Sequence, residues 1–133
     1  MAEILLYHSV LGLRLVELEL ADQWRSAGHT VMTPDLFGGR TAETYDEGFA
    51  TLNDIGLQTV VERALKAADQ EPKTVVLAGV SMGAGMAAQA WARKPDARGV
   101  LFIAGPGDQP HLSGPDAFAN VAKLLCRVIR RNE

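Results

Sequence analysis

Apolar residues along this chain fall into two kinds of pattern, and the two alternate. Four short runs, Glu3 to His8, His29 to Pro34, Thr74 to Ala78 and Gly99 to Ala104, are apolar without a polar face at their centres. Runs of that length and kind predict strands buried on both sides. Between them the apolar positions are spaced. Leu13, Val16, Leu20, Trp24 and Ala27 recur at helical spacing, and Gly28 stands where a helix end favours a residue without Cβ. Leu57, Val60, Val61, Ala64, Leu65 and Ala68 make a second stripe, closed off before Pro72. Met86, Ala87, Ala90 and Trp91 make a third, stopped by Pro95. Phe118, Val121, Leu124, Leu125, Val128 and Ile129 make the last. Ser113 and Asp116 are a candidate capping box for it, and Arg127, Arg130 and Arg131 suit the dipole at its other end. Arg40 to Asn53 has no clean period and reads as loop with at most a short helix.

The order β-α-β-α-β-α-β-loop-α predicts an α/β fold, a parallel sheet with helices on both faces. Right-handed crossovers give it the doubly wound order 2-1-3-4. In such a sheet ligands bind at the carboxyl edge, where the first and third strands diverge. The loops at that point are Ser9 to Gly12 and Gly79 to Gly83.

Composition narrows the class. A chain of 133 residues fits one domain over 1–133 with a sizeable core. Hydrophobic residues at 47% and charged residues at 22% exclude a disordered chain. A net charge of −3 with no basic cluster argues against a nucleic-acid partner. The single cysteine, Cys126, excludes an internal disulfide and fits a reducing compartment. Ile4-Leu5-Leu6-Tyr7 is too short for a signal peptide or a membrane span, and no cationic stretch precedes it. The expectation is a soluble cytoplasmic protein without a membrane partner.

Candidate chemistry centres on Gly79-Val80-Ser81-Met82-Gly83, between an apolar run and an Ala-rich helical pattern. Strand, Gly-x-Ser-x-Gly, then helix is the setting of a nucleophile elbow. The turn is tight, so side chains two before and two after the serine would collide, and glycines remove them. Two other readings compete. The serine caps the helix and nothing more. Alternatively, Gly83-Ala84-Gly85-Met86-Ala87-Ala88 is a dinucleotide fingerprint. That fingerprint needs its first glycine directly after the strand and an acid at a strand end about 20 residues on. Gly83 lies too late, and Asp108 follows a Pro/Gly loop. No cofactor and no metal is therefore assigned.

A serine hydroxyl needs a base to become a nucleophile. His111 is the best candidate, on a Gly/Pro loop beyond the fourth strand; the competing reading is a solvated loop histidine. His8 and His29 border strands and read as half-buried structural histidines. The oxyanion donors would be the N–H groups of Met82 and Val10. Asp35, at a strand end, reads as a turn residue.

Several of these segments, in order, resemble the dienelactone hydrolase-like proteins of the α/β-hydrolase superfamily. Ile4-Leu5-Leu6-Tyr7-His8-Ser9-Val10-Leu11-Gly12-Leu13 resembles the family's first strand and oxyanion loop here. Ala27-Gly28-His29-Thr30-Val31, Pro34-Asp35-Leu36-Phe37 and Gly39-Arg40-Thr41 resemble the next strand and loop. Gly79 to Gly83 matches the elbow, and Gly105-Pro106-Gly107-Asp108-Gln109-Pro110-His111 resembles the loop bearing the catalytic histidine. The chain departs from the family in three ways. About two βα units, roughly 60 residues, are missing before the histidine loop, and the triad aspartate with them. Ser81 and Ser9 stand where the founding enzymes have a cysteine and a glutamate. Arg40 to Asn53 offers no match to the residues that hold a dienelactone carboxylate. Asp108 is the remaining candidate acid: some α/β-hydrolases keep theirs after this strand, though the family residue it resembles is not the triad aspartate.

The expectation is a truncated α/β-hydrolase with Ser81, His111 and Asp108 as catalytic residues. It would act weakly on a small ester or lactone through a Ser81 acyl-enzyme. The alternative is a non-catalytic binding or assembly protein that keeps the elbow as a structural turn. With the next strands missing, Val100-Leu101-Phe102-Ile103 would be an apolar edge, which predicts a two-fold homodimer; the competing account is that the last helix covers this edge within one chain.

Overall fold

The computed structural model describes residues 1–103. The elements are β1 (Glu3–Tyr7), α1 (Leu15–Ser26), β2 (Thr30–Met32), α2 (Tyr45–Ile55), α3 (Leu57–Asp69), β3 (Val76–Val80), α4 (Met82–Arg93) and β4 (Gly99–Ile103). The last helical stripe, Asp108 and His111 lie outside the described residues.

All strand pairs are parallel, in the order β2-β1-β3-β4. The expected doubly wound order is therefore the observed one. Register brings Tyr7 beside Gly79 and Val80 beside Ile103, so β1, β3 and β4 end together at one edge. Strand residues alternate between two cores. Leu5, Tyr7, Leu77, Val100 and Phe102 face α3 and α4, packing on Val60, Ala64, Ala84 and Ala87. Ile4, Leu6, Val31 and Ala78 face α1, packing on Ala21, Leu20 and Trp24. Fully burying a leucine such as Leu6 or Leu77 is worth about 1.5–3 kcal/mol. Strands apolar on both sides are thus the natural filling of a sheet sandwiched between helices.

Three local expectations need correction. The inner face of α1 matches the apolar stripe read from spacing only in part: Leu20 and Trp24 pack inward, but Val16 is 65% exposed, while Glu17 and Ala21 are buried. A carboxylate occupies the inner position, and counting only apolar residues rotates the stripe away from it. Residues 45–55 form a full helix rather than mainly loop. Its start is written in Thr44-x-x-Glu47: the Thr44 hydroxyl accepts the Glu47 N–H at 3.2 Å, and the Glu47 carboxylate accepts the Glu43 N–H at 3.1 Å. Finally, β3 runs through Gly79 and Val80 and delivers the chain directly to Ser81.

Candidate active site

Ser81 is the one non-glycine residue with positive φ among the described residues, at φ 55° and ψ −110°. Holding a side-chain-bearing residue there costs about 1–3 kcal/mol, so the surroundings must enforce it. They do so through backbone contact. The Ser81 N–H donates to the Ile103 carbonyl at 2.9 Å, and the Ser81 carbonyl accepts from Ala84 N–H at 2.9 Å. A Cβ on Gly79 would run into the backbone of Gly83 and Ala84. A Cβ on Gly83 would run into the carbonyls of Tyr7 and His8, at the end of β1. The two glycines therefore let α4 begin on top of both central strands. Met82 is the first residue of that helix, where N–H groups have no partner within the helix. Ser81 itself is half-buried at the sheet's carboxyl edge.

The facing loop after β1 is built by hydrogen bonds. Ser9 and Gly12 form an isolated bridge, with Gly12 N–H donating to the Ser9 carbonyl at 3.0 Å. The Leu11 N–H donates to Ser9 Oγ at 3.2 Å, and the Ser9 N–H donates to Glu17 Oε1 at 3.2 Å. The Leu11 carbonyl accepts from Ala42 N–H at 2.9 Å. Helix α2 closes over the loop so tightly that a Cβ on Gly48 would lie 2.6 Å from the Val10 carbonyl oxygen. Among the described residues, the Val10 and Met82 N–H groups donate no hydrogen bond. These are the two backbone donors expected from the sequence for an oxyanion.

His8 sits beneath this loop and is fully buried, deeper than the half-buried place expected for it. Its Nε2 accepts the Leu36 N–H at 2.9 Å, so its Nδ1 carries the proton and donates to the Ser9 carbonyl at 2.7 Å. Its ring meets Phe37 edge-on, with centroids 4.9 Å apart. Burial pushes the His8 pKa below the ordinary histidine value, against the Ser9 carbonyl and the Asp35 and Glu17 charges, which favour the proton. A neutral histidine with both nitrogens engaged is structural. His29 is half-buried and accepts the Ala2 N–H at 3.0 Å. Asp35 accepts from Phe37 N–H and Gly39 N–H, the turn role expected for it.

Counting apolar residues alone passes over Glu17, which touches the loop directly. Its signal is its helical spacing: a charged residue four before Ala21 and three before Leu20, on the inner side of α1. Thr44 and Glu47 are the other pair missed, and the capping pattern marks them.

No protein-family model matches the chain, and no curated protein matches it. Solved structures do. A dienelactone hydrolase-like promiscuous phosphotriesterase from metagenomic libraries superposes with a TM-score of 0.69 at 13% identity, over 99% of this chain and 66% of that one. The fold is that of the α/β-hydrolases. A second similar structure is an extracellular α/β-hydrolase from a Paenibacillus species, described as sharing structural and functional homology with tobacco salicylic acid binding protein 2. It superposes with a TM-score of 0.59 at 22% identity, over 77% of this chain and 40% of that one. The present chain thus spans less than two thirds of either α/β-hydrolase. Within that fold Ser81 occupies a strand–turn–helix junction, between β3 and α4. Among the described residues, no helix is long and apolar enough to cross a membrane.

Proposed function

We propose that the chain carries a serine-hydrolase site acting on a small ester or lactone. The observation that carries this reading is the backbone of Ser81: a left-handed serine between a strand and a helix, flanked by two glycines that admit no Cβ. A serine that only capped the helix would need no such strain, and the Ser81 side chain makes no capping hydrogen bond. In the proposed path Ser81 Oγ attacks the carbonyl carbon and His111 takes its proton. The oxyanion is held by the N–H groups of Met82 and Val10. The alkoxide leaves with the proton from His111, and a water activated by the same imidazole releases the acid. His111 lies eight residues beyond Ile103, whose carbonyl already touches the Ser81 N–H, so the chain has the reach. Asp108 is the proposed acid. The hydrolase descriptions of the structural neighbours support the class of reaction and not the substrate.

Hydrolysis of p-nitrophenyl acetate by the purified chain tests this. Ser81→Ala should lower turnover by at least about a thousandfold. Equal turnover of the two proteins would leave the elbow as a structural turn in a binding or assembly protein. Asp108→Asn with unchanged turnover would remove that residue from the site. The same reading includes a two-fold homodimer, because β4 is the outermost strand of the described sheet on its side. Sedimentation equilibrium giving a monomer mass at micromolar concentration would contradict it.

A further inference from the structure

Helix α1 presents a carboxylate to the interior where a hydrophobic side chain would be ordinary. Glu17 is 2% exposed, on the same face as Ala21. Taking an ionised carboxylate out of water costs several kcal/mol unless it is paired or hydrogen-bonded. Among the described residues no basic side chain pairs with it. The nearby guanidinium of Arg14 goes elsewhere, donating to the Ala42 carbonyl at 3.0 Å and lying 3.8 Å from Glu43. Glu17 is instead satisfied by backbone. Oε2 accepts the Arg14 N–H at 3.2 Å, which is the usual return bond of a helix start. Oε1 accepts the Ser9 N–H at 3.2 Å, and helix capping does not require that bond. One side chain therefore clamps both ends of the segment 9–14.

The consequence falls on Val10. Ser9 N–H is held by Glu17, Leu11 N–H by Ser9 Oγ and Gly12 N–H by the Ser9 carbonyl, while His8 holds that carbonyl from below. Val10 N–H is left as the loop's donor without a partner among the described residues. We infer that Glu17 is a positioning residue: its carboxylate fixes the loop so that the Val10 N–H remains aimed at the oxyanion formed on Ser81. The inference rests on the serine-hydrolase reading of Ser81. A carboxylate suits the task because both of its contacts are donors. The amide of a glutamine has one accepting oxygen, and its NH2 would face the other N–H. An oxyanion donor acts in the transition state, so its misplacement lowers kcat and leaves KM alone.

The full chain and its Glu17→Gln variant would be compared by p-nitrophenyl butyrate kinetics and by assigned amide NMR spectra. Expected are a fall in kcat of about 10- to 100-fold, KM within about twofold, and a cooperative thermal transition. The Ser9 and Arg14 amide protons should move upfield, and the Val10 amide should shift or broaden. Unchanged kcat, or a loss confined to KM, overturns the inference. So does a Val10 amide that stays in place while Ser9 and Arg14 move. Should the wild type hydrolyse nothing, the serine-hydrolase reading fails on that result, and the Val10 amide alone decides whether Glu17 sets the loop. Glu17→Met, which keeps the bulk and removes both acceptors, gives a second variant. A folded Glu17→Met protein with wild-type kcat and Val10 resonance also overturns the inference.

Discussion

The two loops that meet at the sheet's carboxyl edge are held by different physics. The turn around Ser81 is fixed by steric contact, backbone on backbone, with no side-chain hydrogen bond in the described structure. The loop from Ser9 to Gly12 is fixed by polar groups: a buried histidine, a buried carboxylate and a serine hydroxyl. The first tolerates changes of pH and salt but no added methyl group. The second is also closely packed, under Gly48 of α2, but it alone depends on the protonation and hydrogen-bond polarity of side chains. A strained residue needs hard walls, because a hydrogen bond worth about 1 kcal/mol would not hold a conformation costing more than that. A donor that must stay unpaired needs all its neighbours paired, and polar side chains accomplish that.

The largest effect should come from adding a side chain to the steric turn. Gly83→Val should cost more than about 4 kcal/mol, or yield no soluble protein, since the Tyr7 and His8 carbonyls cannot recede without parting α4 from β1. Gly85→Ala is the control on the same helix: a Cβ there meets nothing within 4 Å and should stabilise by about 1 kcal/mol. Urea midpoints of the two variants measure the contrast.

In the polar loop, His8→Leu should cost about 1–3 kcal/mol by stranding the buried Leu36 N–H. The wild type should show a matching pH dependence. The folded state lowers the His8 pKa, so the unfolded chain binds the proton more readily. Stability from this group is present above the ordinary value of 6.5 and is lost as pH falls from there toward the depressed folded value. Urea melts at stepped pH should show that loss, and His8→Leu should flatten it. An identical pH profile in the variant would assign the acid sensitivity to other groups.

Smaller effects are expected at Ser81 and Thr44. Ser81→Gly removes the cost of positive φ and should raise stability by about 1 kcal/mol while abolishing turnover. Thr44→Ala removes the cap of α2, the helix lying over Val10, and should cost about 1 kcal/mol in a thermal melt.

Much of this arrangement is legible in the sequence, and the reasons are specific. Parallel strands buried on both sides leave continuous apolar runs, so the sheet and its order follow from pattern and chirality. The elbow is legible because its geometry excludes side chains, which forces glycine at positions 79 and 83. The polar loop is far less visible. His8 accepts from the distant backbone of Leu36 and Glu17 from the backbone of Ser9 and Arg14, and backbone groups carry no sequence signal. Glu17 also disguises the inner face of α1, because periodicity counts apolar residues and the buried position is charged. Helix α2 is hard to read because its buried positions are Gly48 and Thr51 while Tyr45 and Phe49 are exposed, although its capping residues announce its start.

Whether the strained serine is a nucleophile is decided by intact-mass measurement after treatment with a fluorophosphonate, followed by peptide mapping. A nucleophilic Ser81 gives one adduct per chain, located on Ser81, and none on Ser81→Ala. No adduct on the wild type, or equal adduct on Ser81→Ala, would contradict it.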